Sequence, residues 1–241
     1  MNKKENNKKI LINKTWTFNS SVSKNFDLHV KQSVPFYSFY QQQIANVSQW
    51  FLKENSLVYD LGCSTGNTIQ EICKLDLSSN FKIVGIDNKI KMIELAKKKI
   101  LKNKKKNIHI DFLNEDILNF KFQKSNLIYS ILLFPFLDFR NRMLIYKRIY
   151  NSLEIGGGFV IVEKIRSRDS LFEDIYTQLY YDFKLSNKLT EKHLIKKARS
   201  LRSAMTIFSL EENLKFLKKV GFHKFDILFK FHNFAGIIAV K

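Results

Sequence analysis

The residues best placed to do chemistry in this 241-residue chain are a glycine turn and two aspartates, Asp87 and Asp116, each following an apolar run. Asp60 opens the segment Asp60-Leu61-Gly62-Cys63-Ser64-Thr65-Gly66. There Gly62 permits a sharp turn, and the lack of a side chain lets a ligand approach the backbone. Asp87 ends the next apolar run, and an acid at that point can accept hydrogen bonds from ribose hydroxyls. Its two carboxylate oxygens can take both hydroxyls of a sugar at once. Asp116-Ile117 follows a third run, where the acid and the backbone could bind adenine while Ile117 lies against the ring. Any one of these acids could cap a helix. The glycine turn and the two acids, at three successive strand ends, point instead to an adenosyl ligand.

The dinucleotide fingerprint requires G-x-G-x-x-G, and Ser64 stands where its second glycine would be. The turn resembles instead the D-x-G-x-x-x-G loop of S-adenosylmethionine-dependent methyltransferases, whose ligand has no pyrophosphate. Other chemistry is absent from the pattern. The five histidines are scattered without metal spacing, and Cys63 and Cys73 form no CxxC pair, so no metal is expected. Neither a G-x-S-x-G elbow nor a phosphate loop is found. The Asn-Pro-Pro-Tyr type motif of amino-group methyltransferases is also missing: the fourth run continues as Leu132-Leu133-Phe134-Pro135-Phe136.

A net charge of +19 invites an RNA-binding reading, since lysine and arginine neutralise phosphates. The composition offers a simpler account. Lysine, asparagine, isoleucine and phenylalanine are abundant throughout while glycine and proline are scarce, the bias that AT-rich coding produces. Runs such as Lys97-Lys98-Lys99 and Lys104-Lys105-Lys106 have no interleaved aromatics for base stacking, so direct nucleic-acid binding is not expected. No apolar stretch is long enough to span a membrane, and Met1 to Asn13 is too polar for a secretory leader, so a cytoplasmic protein is expected.

These acids must be positioned by alternating strands and helices. Helix is expected over Asn25 to Phe51, broken at Ser33-Val34-Pro35 because the residue before proline avoids the α region. Strands are expected at Ser56 to Leu61, Lys82 to Ile86, Ile108 to Leu113, Asn126 to Leu133 and Phe159 to Val162. Between them lie helices at Thr68 to Lys74, Ile90 to Leu101 and Arg140 to Leu153, the last stopped by Gly156-Gly157-Gly158. Lys164 to Thr206 reads as helices, Ser209 to Val220 as another, and Phe225 to Phe231 with Gly236 to Val240 as a closing antiparallel pair. The expected fold is α/β and Rossmann-like: a mostly parallel sheet with an antiparallel C-terminal pair and helices on both faces. In such a sheet ligands bind at the carboxyl ends of the strands, where the glycine turn and the two acids fall. Residues 1–14 are expected to form a disordered basic tail. Residues 15–241 are expected to form a single domain with N-terminal helices and a helical insertion at about 164–206.

Further segments resemble the carboxy-S-adenosylmethionine synthase family, over about Trp16 to Lys241. They are Trp16-Thr17-Phe18, Ser33-Val34-Pro35 with Tyr37, Tyr59 to Ser64, Gly85-Ile86-Asp87-Asn88 with Met92-Ile93-Glu94, and Glu163-Lys164. Asp182-Phe183-Lys184 and the ending Phe231 to Lys241, with Asn233-Phe234, complete the set. The Ser-Val-Pro-x-Tyr and Asp-Phe-Lys segments are more specific than the cofactor motifs, which many methyltransferases share.

The resemblance implies that prephenate loses carbon dioxide to give phenylpyruvate, while the sulfonium methyl of S-adenosylmethionine, as an ylide, captures it and becomes carboxymethyl. It implies a homodimer, and a product used by a partner enzyme that carboxymethylates hydroxyuridine at the tRNA wobble position. An ordinary S-adenosylmethionine-dependent methyltransferase acting on a small molecule or RNA is the alternative. By carry-over Tyr37, Gly62, Cys63, Ser64, Asp87, Asn88, Asp116 and Ile117 would line the S-adenosylmethionine site, and Ile131 falls where the family has an asparagine. The family's carboxylate-binding arginine aligns with Ala198. Arg199, one residue later, is the expected catalytic cation, with Arg202 as a further candidate.

Overall fold

The computed structural model describes residues 26–101, 105–202 and 204–241. The expected tail at 1–14 and the Trp16-Thr17-Phe18 segment lie outside them.

Two helices come first, α1 (Phe26–Ser33) and α2 (Tyr37–Ser48). They part at the expected place, where Phe36 takes a left-handed φ of 55° just after Pro35. Then follow β1 (Ser56–Leu61), α3 (Asn67–Ile72), β2 (Phe81–Asp87), α4 (Ile90–Ile100), β3 (Ile108–Asn114) and β4 (Ser125–Ile131). A 3-10 turn at Phe134–Phe136 leads into α5 (Phe139–Ser152) and β5 (Leu153–Lys164). The insertion consists of α6 (Ser170–Ser186) and α7 (Glu191–Arg202), and α8 (Leu210–Val220), β6 (Lys224–Phe231) and β7 (Phe234–Val240) complete the chain.

The seven strands form one sheet in the order β3-β2-β1-β4-β5-β7-β6. β1 to β5 pair in parallel, and β7 runs antiparallel between β5 and β6. The parallel strands are buried on both faces, which explains why they read as nearly continuous apolar runs. One face packs Ile44 of α2, Ile69 of α3 and Ile93 and Ile100 of α4; the other packs Ile145 and Ile149 of α5 and Leu217 of α8. β2 and β4 flank β1 on opposite sides, so the chain reverses direction there and opens a crevice at the strand ends.

The glycine run does not stop α5. That helix ends at Ser152 because Leu153 is already extended, and Gly156 to Gly158 belong to β5. A Cβ at Gly158 would meet the Phe51 ring at 2.8 Å, and one at Gly157 would meet the Glu154 carbonyl oxygen at 2.9 Å. Gly157 and Gly158 therefore serve close packing of this strand, whereas Gly156 has open space around it and takes a left-handed φ of 78°. α8 starts with a capping box, Ser209 and Glu212 each satisfying the other's backbone N–H.

Candidate active site

A cavity of about 520 Å3 opens at the carboxyl ends of β1 to β5, roofed by α1, α6 and α7. Its floor is the turn after β1. Gly62 and Gly66 sit at φ 68° and 76°, and Ser64 at 51°, a conformation that non-glycine residues seldom adopt. The turn persists because both its flanks are held. Gly62 and Cys63 donate their N–H groups to the Ile86 carbonyl at 2.8 and 3.0 Å, while Ser64 donates to Asp87 Oδ2 at 3.0 Å. Lys89 donates its backbone N–H to the other Asp87 oxygen at 2.8 Å. Each carboxylate oxygen still has a lone pair for a further donor, which suits a ribose diol. Burial raises the Asp87 pKa, and the two backbone donors oppose that shift.

Asp60 lies beneath this turn and is 1 % exposed. Burial, and then the nearby Asp87, push its carboxyl up to about 7, and its Oδ2 meets no hydrogen-bond donor among the described residues. It also faces the cavity. A positive group of a ligand would favour its ionised form, since an opposite charge nearby stabilises a carboxylate. Asp116 caps the loop after β3 by accepting the Leu118 N–H at 2.9 Å, which turns the buried Ile117 toward the cavity.

α1 is clamped to the same turn. Asp27 accepts from Asn67 at 3.0 Å and from Thr65, and forms an ion pair with Lys99 at 2.7 Å. Asn67 also donates to the Tyr37 hydroxyl at 3.1 Å, and Thr68 donates to Gln41 at 2.8 Å. The N-terminal helices are thereby tied by polar bonds to the segment that would hold the adenosyl ligand.

The opposite wall of the cavity is basic. Lys164, the last residue of β5, and Lys197 of α7 line it, and so does Tyr180 of α6, whose ring lies 4.9 Å from Lys164 Nζ. Under this wall a fully buried ion pair braces β5: Arg142 donates to Glu163 Oε2 at 3.1 Å and to Asn213 at 2.9 Å. The same guanidinium donates to the Thr206 carbonyl at 3.3 Å, and Thr206 N–H bonds the Pro135 carbonyl at 2.7 Å. Burial pushes the Glu163 carboxyl up to about 7 against the attraction of Arg142. Leu132, just past β4, is held at φ 59° with its N–H on the Val162 carbonyl, and it lines the cavity beside Ile131.

The structure thus brings Tyr37, Gly62, Cys63, Ser64, Asp87, Asn88, Asp116, Ile117 and Ile131 around one cavity. Arg199 is not among them. It is exposed, as is Arg202, and neither forms part of the cavity wall. The reason is helical phase: α7 turns Leu194, Lys197 and Leu201 inward, and Arg199, two residues past Lys197, points about 200° away. Motif reading missed Asp60 as a ligand group, Gln41, and the lysines of the basic wall. Lys164 and Lys184 did stand inside quoted segments, but nothing in their local spacing marks lysines for burial. No cluster of three or more metal-binding side chains occurs among the described residues.

A methyltransferase domain family matches residues 52–202. Among curated relatives, a carboxy-S-adenosyl-L-methionine synthase of Staphylococcus epidermidis is 38% identical over 227 residues, 94% of this chain and 97% of that protein. One of Methylococcus capsulatus is 33% identical over 228 residues, 93% of each chain. Among solved structures, the plantazolicin methyltransferase in complex with SAH has a TM-score of 0.63 at 16% identity, covering 93% of this chain and 91% of that one. Human N-acetylserotonin methyltransferase in complex with SAM has a TM-score of 0.61 at 16% identity, covering 92% of this chain and 56% of that one. At these identities the solved structures speak to the fold alone, and that fold is the Rossmann-like one of methyltransferases.

Proposed function

Because this chain belongs to the carboxy-S-adenosyl-L-methionine synthase family, we propose that it converts S-adenosyl-L-methionine and prephenate to carboxy-S-adenosyl-L-methionine and phenylpyruvate. It is an enzyme of the transferase class. The observation that carries the specific reading is the charge along the sheet: Asp60, Asp87 and Asp116 come from the ends of β1 to β3, with Lys89 beside Asp87, while Lys164 ends β5 and Lys197 comes from α7. A cationic sulfonium nucleoside suits the acidic end, and a carboxylate-bearing co-substrate suits the basic end.

Asp87 would hold the ribose hydroxyls and Ile117 the adenine, while Gly62 and Ser64 leave the turn open for the amino-acid part. Bound S-adenosyl-L-methionine would supply a methyl carbon acidified by its sulfonium. Prephenate loses its ring hydroxyl as hydroxide together with carbon dioxide; the hydroxide takes one methyl proton and leaves as water, and the resulting carbanion adds the carbon dioxide. The chain's own part is to exclude water and neutralise charge. Ile131, Leu132, Leu133 and Phe136 give the reaction space an apolar side, which limits protonation of a carbanion. The basic wall would stabilise the carboxylate as it forms. In the cell we propose that the product feeds a tRNA carboxymethyltransferase acting at the wobble uridine. No helix among the described residues is long and apolar enough to cross a membrane.

Ile131 in place of the family asparagine favours a second reading, methyl transfer to an apolar substrate. One assay separates the two. Purified protein is incubated with S-adenosyl-L-methionine and prephenate, and the adenosyl product is weighed by mass spectrometry. A species heavier by one carbon dioxide, with phenylpyruvate alongside, is expected. Cofactor binding without that species would reject carboxy transfer and leave methyl transfer.

A further inference from the structure

The basic wall holds more positive charge than its lining residues alone convey. Lys184 of α6 is only 8 % exposed, and its Nζ lies 3.6 Å from the centroid of the Tyr180 ring. Lys164 Nζ approaches the same ring at 4.9 Å. Lys197 completes the group from α7, with its Nζ in hydrogen-bond contact with His29 Nε2 of α1. The rings of His29 and His193 meet edge to face at 5.4 Å. Lys164 and Lys184 thus share one half-buried tyrosine, and Lys197, from a third element, lines the cavity with Lys164 and Tyr180.

Like charges drawn together out of water are costly unless an anion joins them. Burial lowers the pKa of Lys184 to about 7, with the charges of Lys164 and Lys197 adding to the shift. Burial and Lys164 together lower that of Lys197 to about 8. Lys164 is lowered as well by burial, although Glu173 pulls the other way. His29 is held down to about 4 by burial, Lys197, His193 and Lys184, which keeps its ring neutral and able to accept from Lys197. Burial raises the pKa of the Tyr180 hydroxyl, which therefore stays neutral and adds no negative charge. Tyr181, the remaining ring near Lys184, lies 5.6 Å from its Nζ. The aspartates lining the cavity come from the ends of β1, β2 and β3, whereas Lys164 ends β5.

We propose that Lys164 and Lys197, backed by Lys184, form a carboxylate subsite that replaces a single arginine and selects the carboxylated cofactor over the methylated one. This rests on the carboxy-transfer reading for its substrate, and on the lysine geometry for its location. Its behaviour differs from that of an arginine site. Arginine stays charged at every physiological pH, whereas a buried lysine can lose its proton. The preference for the carboxylated cofactor must then weaken as pH rises past the lysine values.

The test is calorimetric titration of the full chain with carboxy-S-adenosyl-L-methionine and with S-adenosyl-L-methionine, between about pH 6.5 and pH 9. Lys164→Met and Lys197→Met are each expected to weaken the carboxylated ligand about tenfold or more, one charge-assisted hydrogen bond, with little change for the methylated one. Lys197→Arg should keep the preference and flatten its pH dependence. Lys184→Met removes a like charge from behind the wall, so the midpoint of the pH profile should move upward, which a purely structural loss would not produce. Equal weakening of both ligands, or a preference independent of pH in the wild type, would overturn the subsite.

A second titration keeps this apart from the overall function. Malonate, a small dicarboxylate, is added to protein loaded with S-adenosylhomocysteine. Malonate binding that disappears in the lysine variants, in a protein that forms no carboxylated product, sustains the subsite and removes the carboxy-transfer reading. Carboxylated product from lysine variants that bind malonate as the wild type does would sustain that reading and remove the subsite.

Discussion

The two ends of the cavity are built on different principles. At the acidic end the functional carboxylates are fixed by backbone: Asp87 accepts the N–H groups of Ser64 and Lys89, and Asp116 accepts that of Leu118. These bonds are short-range or run between neighbouring parallel strands, so each acid is placed by the same turn that forms its strand end. At the basic end the lysines come from β5, α6 and α7, and are held by burial, by the Tyr180 ring and by a neutral histidine. The first arrangement is held by backbone hydrogen bonds that need no ligand. The second is held against its own repulsion, and an anion would relieve it. Such a division suits an enzyme that binds its cofactor through one end and chooses the transferred group through the other.

The largest effect should come from the acidic end. Asp87→Ala removes the acceptor proposed for two ribose hydroxyls, each a charge-assisted bond worth about 1.5–3 kcal/mol. A loss of affinity for S-adenosyl-L-methionine of about a hundredfold or more is therefore expected by calorimetry. The melting temperature should fall only slightly, since the Ser64 and Lys89 N–H groups at the cavity rim can turn to water. Retained affinity in this variant would detach Asp87 from the ribose and erase the contrast between the ends.

How much of this was legible in the sequence follows the same division. The strands, the switch point, the glycine turn and the positions of Asp87 and Asp116 could be read because each rests on a local pattern, an apolar run followed by a turn or an acid. The end of α5 was misread, because glycine is associated with helix termini while here Gly157 and Gly158 answer to Phe51 and Asn126, distant in sequence. The basic wall was illegible for a related reason. Among 41 lysines and arginines, the few that fold inward are distinguished by which helix face meets the sheet. α7 settles that by placing Leu194 and Leu201 on the buried side, and Lys197 follows them in. Likewise Arg142, wholly buried on Glu163, lies in a stretch rich in charge that reads as a solvated face.

A middle-sized effect should appear in the pH dependence of stability, and it belongs to the basic end. Burial and the charge of neighbouring lysines push Lys184 down to about 7 and Lys197 down to about 8 in the folded chain, against the usual 10.5. Above those folded values and below the unfolded one, the unfolded chain holds more protons, so these groups make stability rise with pH. Asp60 and Glu163, raised to about 7, act in the opposite sense at lower pH and have largely finished by then. The melting temperature of the ligand-free protein should therefore increase from about pH 7 to about pH 9. Saturating malonate should raise it more at the lower pH, where the lysines are charged. A melting temperature that falls over this interval, with malonate equally effective throughout, would show that the lysines are not strained by one another.

The smallest effect is also the sharpest test of where the carboxylate is held. Arg199 stands beside the family's arginine position in a gapless alignment, and its charge is the right one, so alignment alone would assign it the carboxylate. The helix assigns it to solvent. It shares α7 with Lys197 but faces the other way, is exposed, and forms no part of the cavity wall. An exposed cation acting across water and salt contributes little at such range. Arg199→Ala should therefore leave the preference for carboxy-S-adenosyl-L-methionine within about twofold of wild type, while Lys197→Met lowers it about tenfold or more. The reverse order would mean that α7 rotates when ligand binds, bringing Arg199 inward and carrying Lys197 out. A change in the hydrogen exchange of α7 between free and loaded protein would then be required, and its absence in the wild type would return the carboxylate to the lysine wall.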